Sequence, residues 1–162
     1  MQNTKEIFKV ERIYNAPKEL VFKAFSEVEA LKQWWGPVEM PISALTLDFK
    51  VGGKFHYKME GHGNVMWGVF VYQKINPFDE ISYISSFSNE KAEVCKAPFD
   101  MDFPLEIHNE MTFSEADGKT TLSLQSHPYK ATEAQTQTFF AISENMNKGF
   151  HSTFDQLEKY LG

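Results

Sequence analysis

A long amphipathic segment, residues 132–161, closes the chain. Its apolar side chains recur at steps of three or four residues, the spacing that puts them on one face of an α-helix. Glu144 and Lys148, like Asp155 and Lys159, stand four residues apart on the opposite face, in the acid-before-base order that stabilises a solvated helix. Unbroken, such a helix would be about 45 Å long. So broad an apolar face needs an equally large apolar surface to cover it.

From residue 42 to residue 126 the sequence has the pattern of strands and turns that could supply this surface. Apolar and polar residues alternate, which is typical of half-buried strands, and Gly- and Asn-containing turns separate the alternating runs. Residues 88–104 interrupt the pattern as a long loop or an irregular edge. With a further alternating run near the start of the chain, we predict seven strands, at residues 5–14, 42–48, 54–60, 65–75, 81–87, 105–113 and 120–126.

Two short helices are predicted between the first and second strands. Asn15-Ala16-Pro17 offers a cap and a proline in the first turn of the first helix. Ser26 with Glu29 has the spacing of a capping box, which predicts the start of the second helix there. Gly36-Pro37 ends that helix, because neither residue continues a helix well.

The order of these elements predicts the fold class. Strands that follow one another through tight turns pair as an antiparallel sheet with one wet and one dry face. Only the C-terminal helix is long and apolar enough to cover the dry face. We therefore predict a single α+β domain over residues 1–162, in which a curved antiparallel sheet of about seven strands packs against the long helix. Space should remain between them, because side chains cannot fill the whole concavity.

Charge and composition exclude several kinds of partner. The net charge of -6 and the scattered basic residues argue against nucleic acid, whose phosphates require clustered Lys and Arg. No apolar run approaches the roughly 18 residues of a membrane span. The only cysteine, Cys95, fits a reducing compartment, so we expect a cytoplasmic protein without membrane insertion. Monomer and homodimer both remain open.

Glu106, His108 and Glu110 form the most site-like polar pattern, since strand alternation puts them on one face about 7 Å apart in turn. Ile107 and Met111 mark the opposite face as the buried one. We therefore interpret the three polar side chains as solvated rather than as metal ligands or an acid/base pair.

No other motif indicates catalysis. The glycine-rich turns lack the spacing of phosphate-binding loops, and Cys95 has no neighbouring pattern of a nucleophile. His62 and His127, in turn-like segments, could rim the mouth of a pocket. We assign no catalytic residue, no metal ligand and no cofactor.

Apolar side chains from several strands and from the C-terminal helix converge on one space if the sheet grips the helix. Ordinary core packing would need the same residues, so periodicity alone leaves a filled core and an open pocket as alternatives. The candidate ligand-binding side chains are large and apolar: Trp34, Trp35, Phe55, Tyr57, Met59, Trp67, Met111, Phe113, Met146, Phe150 and Phe154. Arg12 and Asn109 share strand faces with them, and if buried they need a structural partner or a polar group of a ligand.

Short motifs in a fixed order extend over nearly the whole chain. They are Asn15-Ala16-Pro17 before Leu20-Val21-Phe22, Trp34-Trp35-Gly36-Pro37, Gly52-Gly53 before Phe55, Gly68, Gly118-Lys119-Thr120-Thr121-Leu122, and Met146 with Gly149-Phe150. In this order the chain resembles bacterial proteins similar to the C-terminal domain of the activator of Hsp90 ATPase, of the START-like or Bet v 1-like (SRPBCC) superfamily. One departure is Phe150, where members commonly carry Trp. The resemblance implies a helix-grip fold with a central hydrophobic cavity and no shared set of catalytic residues.

Binding of a small hydrophobic or amphipathic molecule is therefore the function that the sequence favours over an enzymatic one. An enzyme of the polyketide-cyclase or hydrolase kind is the first alternative, and it would require ionisable side chains inside the cavity. A chaperone-associated protein that binds Hsp90 is the second, and it rests on analogy alone, because the resemblance does not include the separate N-terminal domain of the eukaryotic activators.

Overall fold

The computed structural model describes residues 7–98 and 100–162 of the protein, and within them it has seven strands and four helices. The strands are β1 (Phe8–Tyr14), β2 (Ile42–Leu47), β3 (Lys54–Gly61), β4 (Asn64–Asn76), β5 (Glu80–Ser88), β6 (Ile107–Ala116) and β7 (Lys119–Pro128). The helices are α1 (Lys18–Ser26), α2 (Val28–Trp34), α3 (Glu133–Ala141) and α4 (Ser143–Leu161). Of the predicted first strand, residues 5 and 6 lie outside the described residues.

All seven strands form one sheet in the order β1-β7-β6-β5-β4-β3-β2, and every neighbouring pair is antiparallel. The strands from β2 to β7 follow one another as a meander, whereas β1 pairs with β7, so that Phe8 lies opposite Ser126. Consecutive side chains alternate between the two faces, and Phe8, Val10 and Tyr14 are buried on the concave one. The predicted α+β helix-grip fold is confirmed.

The core lies between the concave face of the sheet and helices α1, α2 and α4. From α4 it takes Phe154 and Leu157, which are 2% and 0% exposed. Tyr14 of β1 donates a hydrogen bond from its hydroxyl to the carbonyl oxygen of Phe154 at 3.1 Å. This bond joins the first strand to the last helix inside the core. None of the helices in the described residues is both long and apolar enough to cross a membrane.

The long C-terminal helix is confirmed with one correction, because Ile142 divides it into α3 and α4. Ile142 has φ -103° and ψ 16°, outside the helical region, although its N–H still reaches the carbonyl oxygen of Thr138 at 3.3 Å. The division lets α3 bury Phe139 against Phe8 at 6.2 Å and Phe103 at 6.0 Å between ring centroids. A straight helix could not follow the curved sheet over its whole length.

The predicted helix caps are wrong at both short helices. Pro17 occupies the N-cap of α1 rather than its first turn, and the free N–H of Lys18 donates to the Glu115 carboxylate of β6 at 2.9 Å. Ser26 belongs to the last turn of α1, where its hydroxyl donates to the Lys23 carbonyl oxygen at 3.4 Å. It therefore cannot cap α2, which starts at Val28 without a side-chain cap. The capping box in this chain lies at the start of α3 instead.

Candidate functional site

A cavity of about 460 Å³ lies between the concave face of the sheet and helices α3 and α4. Cavities that bind small molecules span roughly 300–1,000 Å³. Side chains of β3 to β6 form its floor, the end of α2 and the loop before β6 form its sides, and α4 covers it. Most of the lining is apolar, and the described lining residues include no Asp, Glu, Lys, Arg, His or Cys.

One wall consists of aromatic rings held by strands β3, β4 and β5. Trp35, just after α2, contacts Tyr57 and Phe70 at 5.5 Å between ring centroids, and Phe70 stacks on Tyr83 at 4.0 Å. These edge-to-face and stacked arrangements are the favourable ones for aromatic pairs. The wall is therefore firmly packed on the side that faces the core.

Gly68 makes room for Tyr57 in this wall. The two residues lie opposite each other in the β3–β4 register, and a Cβ atom at Gly68 would overlap the Tyr57 hydroxyl. The absence of a side chain at Gly68 thus lets the Tyr57 ring lie across β4. The glycine is needed for a close approach between two side-chain positions, not for an unusual backbone angle.

Two tyrosines, Tyr57 and Tyr83, line the cavity. Burial raises the pKa of Tyr57 and of Tyr83, so both remain protonated at neutral pH. The buried N–H of Trp35 has no hydrogen-bond partner of standard geometry among the described residues, and it lies close enough to Tyr57 to oppose part of that rise. The tyrosines bring hydrogen-bonding capacity to the cavity without bringing charge.

Asn109 is the centre of a polar network in the floor. It is 3% exposed, its Oδ1 accepts a hydrogen bond from Ser126 Oγ at 2.6 Å, and its Nδ2 donates to Ser85 Oγ at 2.9 Å. Nδ2 also donates to the carbonyl oxygens of Ile107 at 3.1 Å and Tyr83 at 3.4 Å. Asn109 thus finds structural partners while it borders the cavity.

The structure brings seven of the thirteen predicted site residues to the cavity. They are Trp35, Tyr57, Met59, Trp67, Asn109, Met146 and Phe150. Five others belong to the packed core instead, with exposures of 1–3%: Trp34, Phe55, Met111, Phe113 and Phe154. They lie on the predicted faces but closer to α1 and α2, which fill that half of the concavity. The Trp34 indole, for instance, donates to the Ala24 carbonyl oxygen of α1 at 2.9 Å.

Arg12 lies outside the cavity and is bound to α4. Its guanidinium contacts Asp155 at 2.8 Å and Glu158 at 3.1 Å, and it donates to the His151 carbonyl oxygen at 3.1 Å. Its side chain is 14% exposed. Arg12 therefore has structural partners on α4, the first of the two alternatives predicted for it.

Trp67 borders the cavity beside Gly68, but its ring packs on the outer face of the sheet. The ring stacks on His56 at 5.0 Å, and the Lys58 amine lies 5.5 Å from its centroid. Strand alternation puts both of these residues on the face opposite Tyr57. The prediction that the Trp67 side chain points inward is therefore wrong.

Several lining residues were not among the predicted ones. They include Phe70, Tyr83, Ser85, Phe87, Phe103, Leu105, Ser126, Phe139 and Ile142. Those on β4 and β5 could have been found by aligning these strands with β3 in register, and Ser126 by pairing β7 with β6. Those of the loop before β6 and of the break in the helix carry no periodic signal.

The polar pattern on β6 lies on the outer face. His108 pairs across the sheet with His127, 5.0 Å away between ring centroids, so His127 belongs to β7 and not to a turn at the cavity mouth as predicted. His62 does occupy a turn, with φ 52°. The described residues contain no group of three acidic, His or Cys side chains that could hold a metal ion.

Comparison with known proteins agrees with this architecture. The sequence model of the family described as activator of Hsp90 ATPase homolog 1-like protein matches residues 15–162. No curated protein sequence matches the chain.

Solved structures of similar fold come from several bacteria. A protein from Staphylococcus epidermidis is 26% identical, with a TM-score of 0.76 over 99% of this chain and 92% of its own. A protein from Mycobacterium smegmatis is 22% identical, with a TM-score of 0.76 over 96% of this chain and 90% of its own. A protein from Silicibacter pomeroyi that carries the family's name is 18% identical, with a TM-score of 0.71 over 96% of this chain and 97% of its own.

Proposed function

The chain belongs to the family of activator of Hsp90 ATPase homolog 1-like proteins, and from this premise we propose that it binds a small, largely apolar molecule in the cavity between its sheet and α4. The observation that carries the proposal is the cavity of about 460 Å³ with its aromatic and apolar lining. A well-packed core of the same residues would have left voids little larger than a water molecule.

Burial of apolar surface supplies the driving force. At about 25 cal/mol per Å², a ligand that buried about 300 Å² of apolar surface would gain about 7 kcal/mol before the entropic costs of association. The wall formed by Trp35, Phe70 and Tyr83 is already packed, so little side-chain ordering is added on binding. A pre-packed wall therefore lets more of the gain from apolar burial appear as affinity.

The chemistry of the lining supports binding rather than catalysis. General acid–base catalysis needs a group whose pKa lies near the working pH. The titratable residues among the described lining residues are Tyr57 and Tyr83, and burial moves the pKa of both further from neutrality. The lining can hold and orient a molecule, but it offers no such acid or base.

A thermal-shift screen tests this proposal. The purified protein is heated with members of a library of lipids, aromatic metabolites and polyketide-like compounds, and Tm is measured for each. A ligand that binds only the folded state stabilises it by about 2.7 kcal/mol at a hundredfold excess over its Kd, so we expect a clear rise in Tm for the compounds that fit.

A matched pair of variants localises any hit. Phe150→Ala removes a ring from the cavity lining, whereas Phe140→Ala removes a half-buried ring of α3 that lies outside it. We expect Phe150→Ala to abolish or weaken the Tm shift and Phe140→Ala to retain it, each measured against the variant's own ligand-free Tm. A library without hits, or equal shifts in both variants, would contradict the proposal.

A further inference from the structure

We infer that the cavity accepts uncharged molecules with a hydrogen-bond acceptor, such as a carbonyl oxygen, and rejects carboxylates. The inference rests on the proposed function and names the chemical class of its ligand. It follows from the direction of the hydrogen bonds in the floor and from the charge of the lining.

The orientation of the Asn109 amide is fixed by the backbone. Its nitrogen lies 3.1 Å from the carbonyl oxygen of Ile107 and 3.4 Å from that of Tyr83. Carbonyl oxygens can only accept hydrogen bonds, so the amide oxygen cannot occupy this position. The amide oxygen therefore faces Ser126, and the amide nitrogen faces Ser85.

This orientation sets the roles of both serines. Ser126 must donate its proton to Asn109 Oδ1, and Ser85 Oγ must accept from Asn109 Nδ2. Ser85 Oγ donates to no other residue in the described part of the chain, and Ser85 lines the cavity. The network thus runs from Ser126 through Asn109 to Ser85 and leaves one hydroxyl proton free for a ligand.

Tyr57 and Tyr83 add two more donors. Both side chains line the cavity, and neither hydroxyl makes a hydrogen bond of standard geometry to any residue that the structure describes. Burial raises the pKa of each, so the protons stay in place at neutral pH. An acceptor on the ligand would satisfy groups that an apolar ligand leaves without a partner.

A ligand carboxylate would find no positively charged partner among the described lining residues. Burying an ionised group costs several kcal/mol unless it is paired with an opposite charge. The described lining residues include no Lys, Arg or His, and the nearby Lys58 amine lies over the outer ring of Trp67. Hydroxyl donors alone do not offset that cost.

Three naphthalenes of nearly equal size test the inference: acetylnaphthalene, ethylnaphthalene and naphthoate, all substituted at the same ring position. Their affinities are measured by equilibrium dialysis at about pH 8, where the carboxylic acid is ionised. We expect acetylnaphthalene to bind about two- to tenfold more tightly than ethylnaphthalene, the effect of one hydrogen bond. Naphthoate should bind at least about a hundredfold more weakly than the ketone.

Ser85→Ala tests the source of the preference. Asn109 keeps two backbone acceptors in this variant, so the fold should persist. We expect the ratio of ketone to ethyl affinity to fall, with the remaining preference supplied by Tyr57 and Tyr83 and the affinity for ethylnaphthalene unchanged. Ser123→Ala, on the outer face of β7, is the matched control and should keep the full ratio.

The outcomes separate the two proposals. Naphthoate binding as tightly as the ketone would overturn the inference and leave the proposed function in place. Equal binding of ketone and ethyl compound, or an unchanged ratio in Ser85→Ala, would overturn the assignment of the donor. No binding by any of the three up to its solubility limit would overturn the proposed function itself.

Discussion

Gly68 lies behind the Tyr57 ring of the cavity wall and Gly149 lines the cavity itself, and a side chain would have opposite effects at the two positions. A Cβ atom at Gly68 would overlap the Tyr57 hydroxyl, whereas a Cβ atom at Gly149 would meet no atom within 4 Å. Gly149 is an interior residue of α4, where glycine is about 1 kcal/mol less favourable than alanine. One glycine accommodates a neighbouring ring, and the other weakens a helix that could form without it.

We therefore expect Gly68→Ala to lower the free energy of unfolding by about 1–3 kcal/mol through overpacking and Gly149→Ala to raise it by about 1 kcal/mol. Urea denaturation of the two variants and the unmodified protein measures both changes. In the background of Tyr57→Val, which removes the overlapping ring, Gly68→Ala should cost much less. An equal cost in both backgrounds would show that Tyr57 is not the reason for the glycine.

At the residue scale, strand alternation predicted the face of a side chain but not its depth. Phe55 and Tyr57 lie on the same face of β3, and only Tyr57 reaches the cavity, because Trp35 and the short helices enclose Phe55. The Trp67 ring was placed on the wrong face because β4 is apolar on both sides. Its face becomes clear only from its pairing with Lys58.

At the scale of elements, Arg12 links β1 to α4 through ion pairs and a hydrogen bond. It reaches the carboxylates of Asp155 and Glu158 and the carbonyl oxygen of His151, all from a side chain that is largely buried. A charged hydrogen bond from a buried group is stronger than an exposed ion pair. Neither Arg12 nor its partners line the cavity, so the contact acts on the position of the helix.

Arg12→Gln should lower the free energy of unfolding by about 1–2 kcal/mol, because it removes both ion pairs and the bond to the backbone. Lys9→Gln on the same strand is the control. This substitution breaks the ion pair between Lys9 and Glu11, whose side chains are 52% and 53% exposed. It should change the free energy of unfolding by less than about 0.5 kcal/mol. Urea denaturation measures both variants, and equal effects would contradict the role of Arg12.

The elements themselves were largely predictable, since period-two and period-3.6 patterns identified the strands and the C-terminal helix. Their ends were not. The N–H of Lys18, at the start of α1, bonds to Glu115, which is distant in sequence, and the break at Ile142 accompanies the packing of Phe139 against Phe8 and Phe103. Both depend on tertiary contacts, which local sequence does not encode.

At the scale of the whole molecule, the fold buries tyrosine side chains from four strands of the sheet, β1, β3, β4 and β5. Burial raises the pKa of Tyr14, Tyr57, Tyr72 and Tyr83. A tyrosine in the unfolded chain loses its proton near pH 10, whereas these four keep theirs in the folded state. The unfolded state is therefore favoured as the pH rises above about 10.

We expect the free energy of unfolding to be insensitive to these groups below about pH 10 and to fall above it, by up to about 1.4 kcal/mol per pH unit for each tyrosine. The loss should continue until the folded-state pKa values are reached. Urea denaturation at a series of alkaline pH values measures it, and Tyr72→Phe should reduce the slope. Ionisation of these four tyrosines, followed by tyrosinate absorbance, while the protein is still folded would contradict the prediction.

The overall architecture followed from the order of elements, because a meander of strands with one amphipathic helix has few ways to bury its apolar faces. The volume of the cavity did not follow. It depends on how far α4 stands from the floor, and that distance is set by contacts such as the one between Phe8 and Phe150, at 5.7 Å.

The pairing of β1 with β7 also imposes a delay during synthesis, because the two strands are far apart in the sequence. Among the described strands, β1 is the first to leave the ribosome, yet its one neighbour, β7, is the last. Ribosomes add about 5–20 residues per second, so β7 is synthesised on the order of ten seconds after β1. During that interval the apolar face and the free edge of β1 stay exposed. A chaperone that holds nascent chains would bind them most readily then.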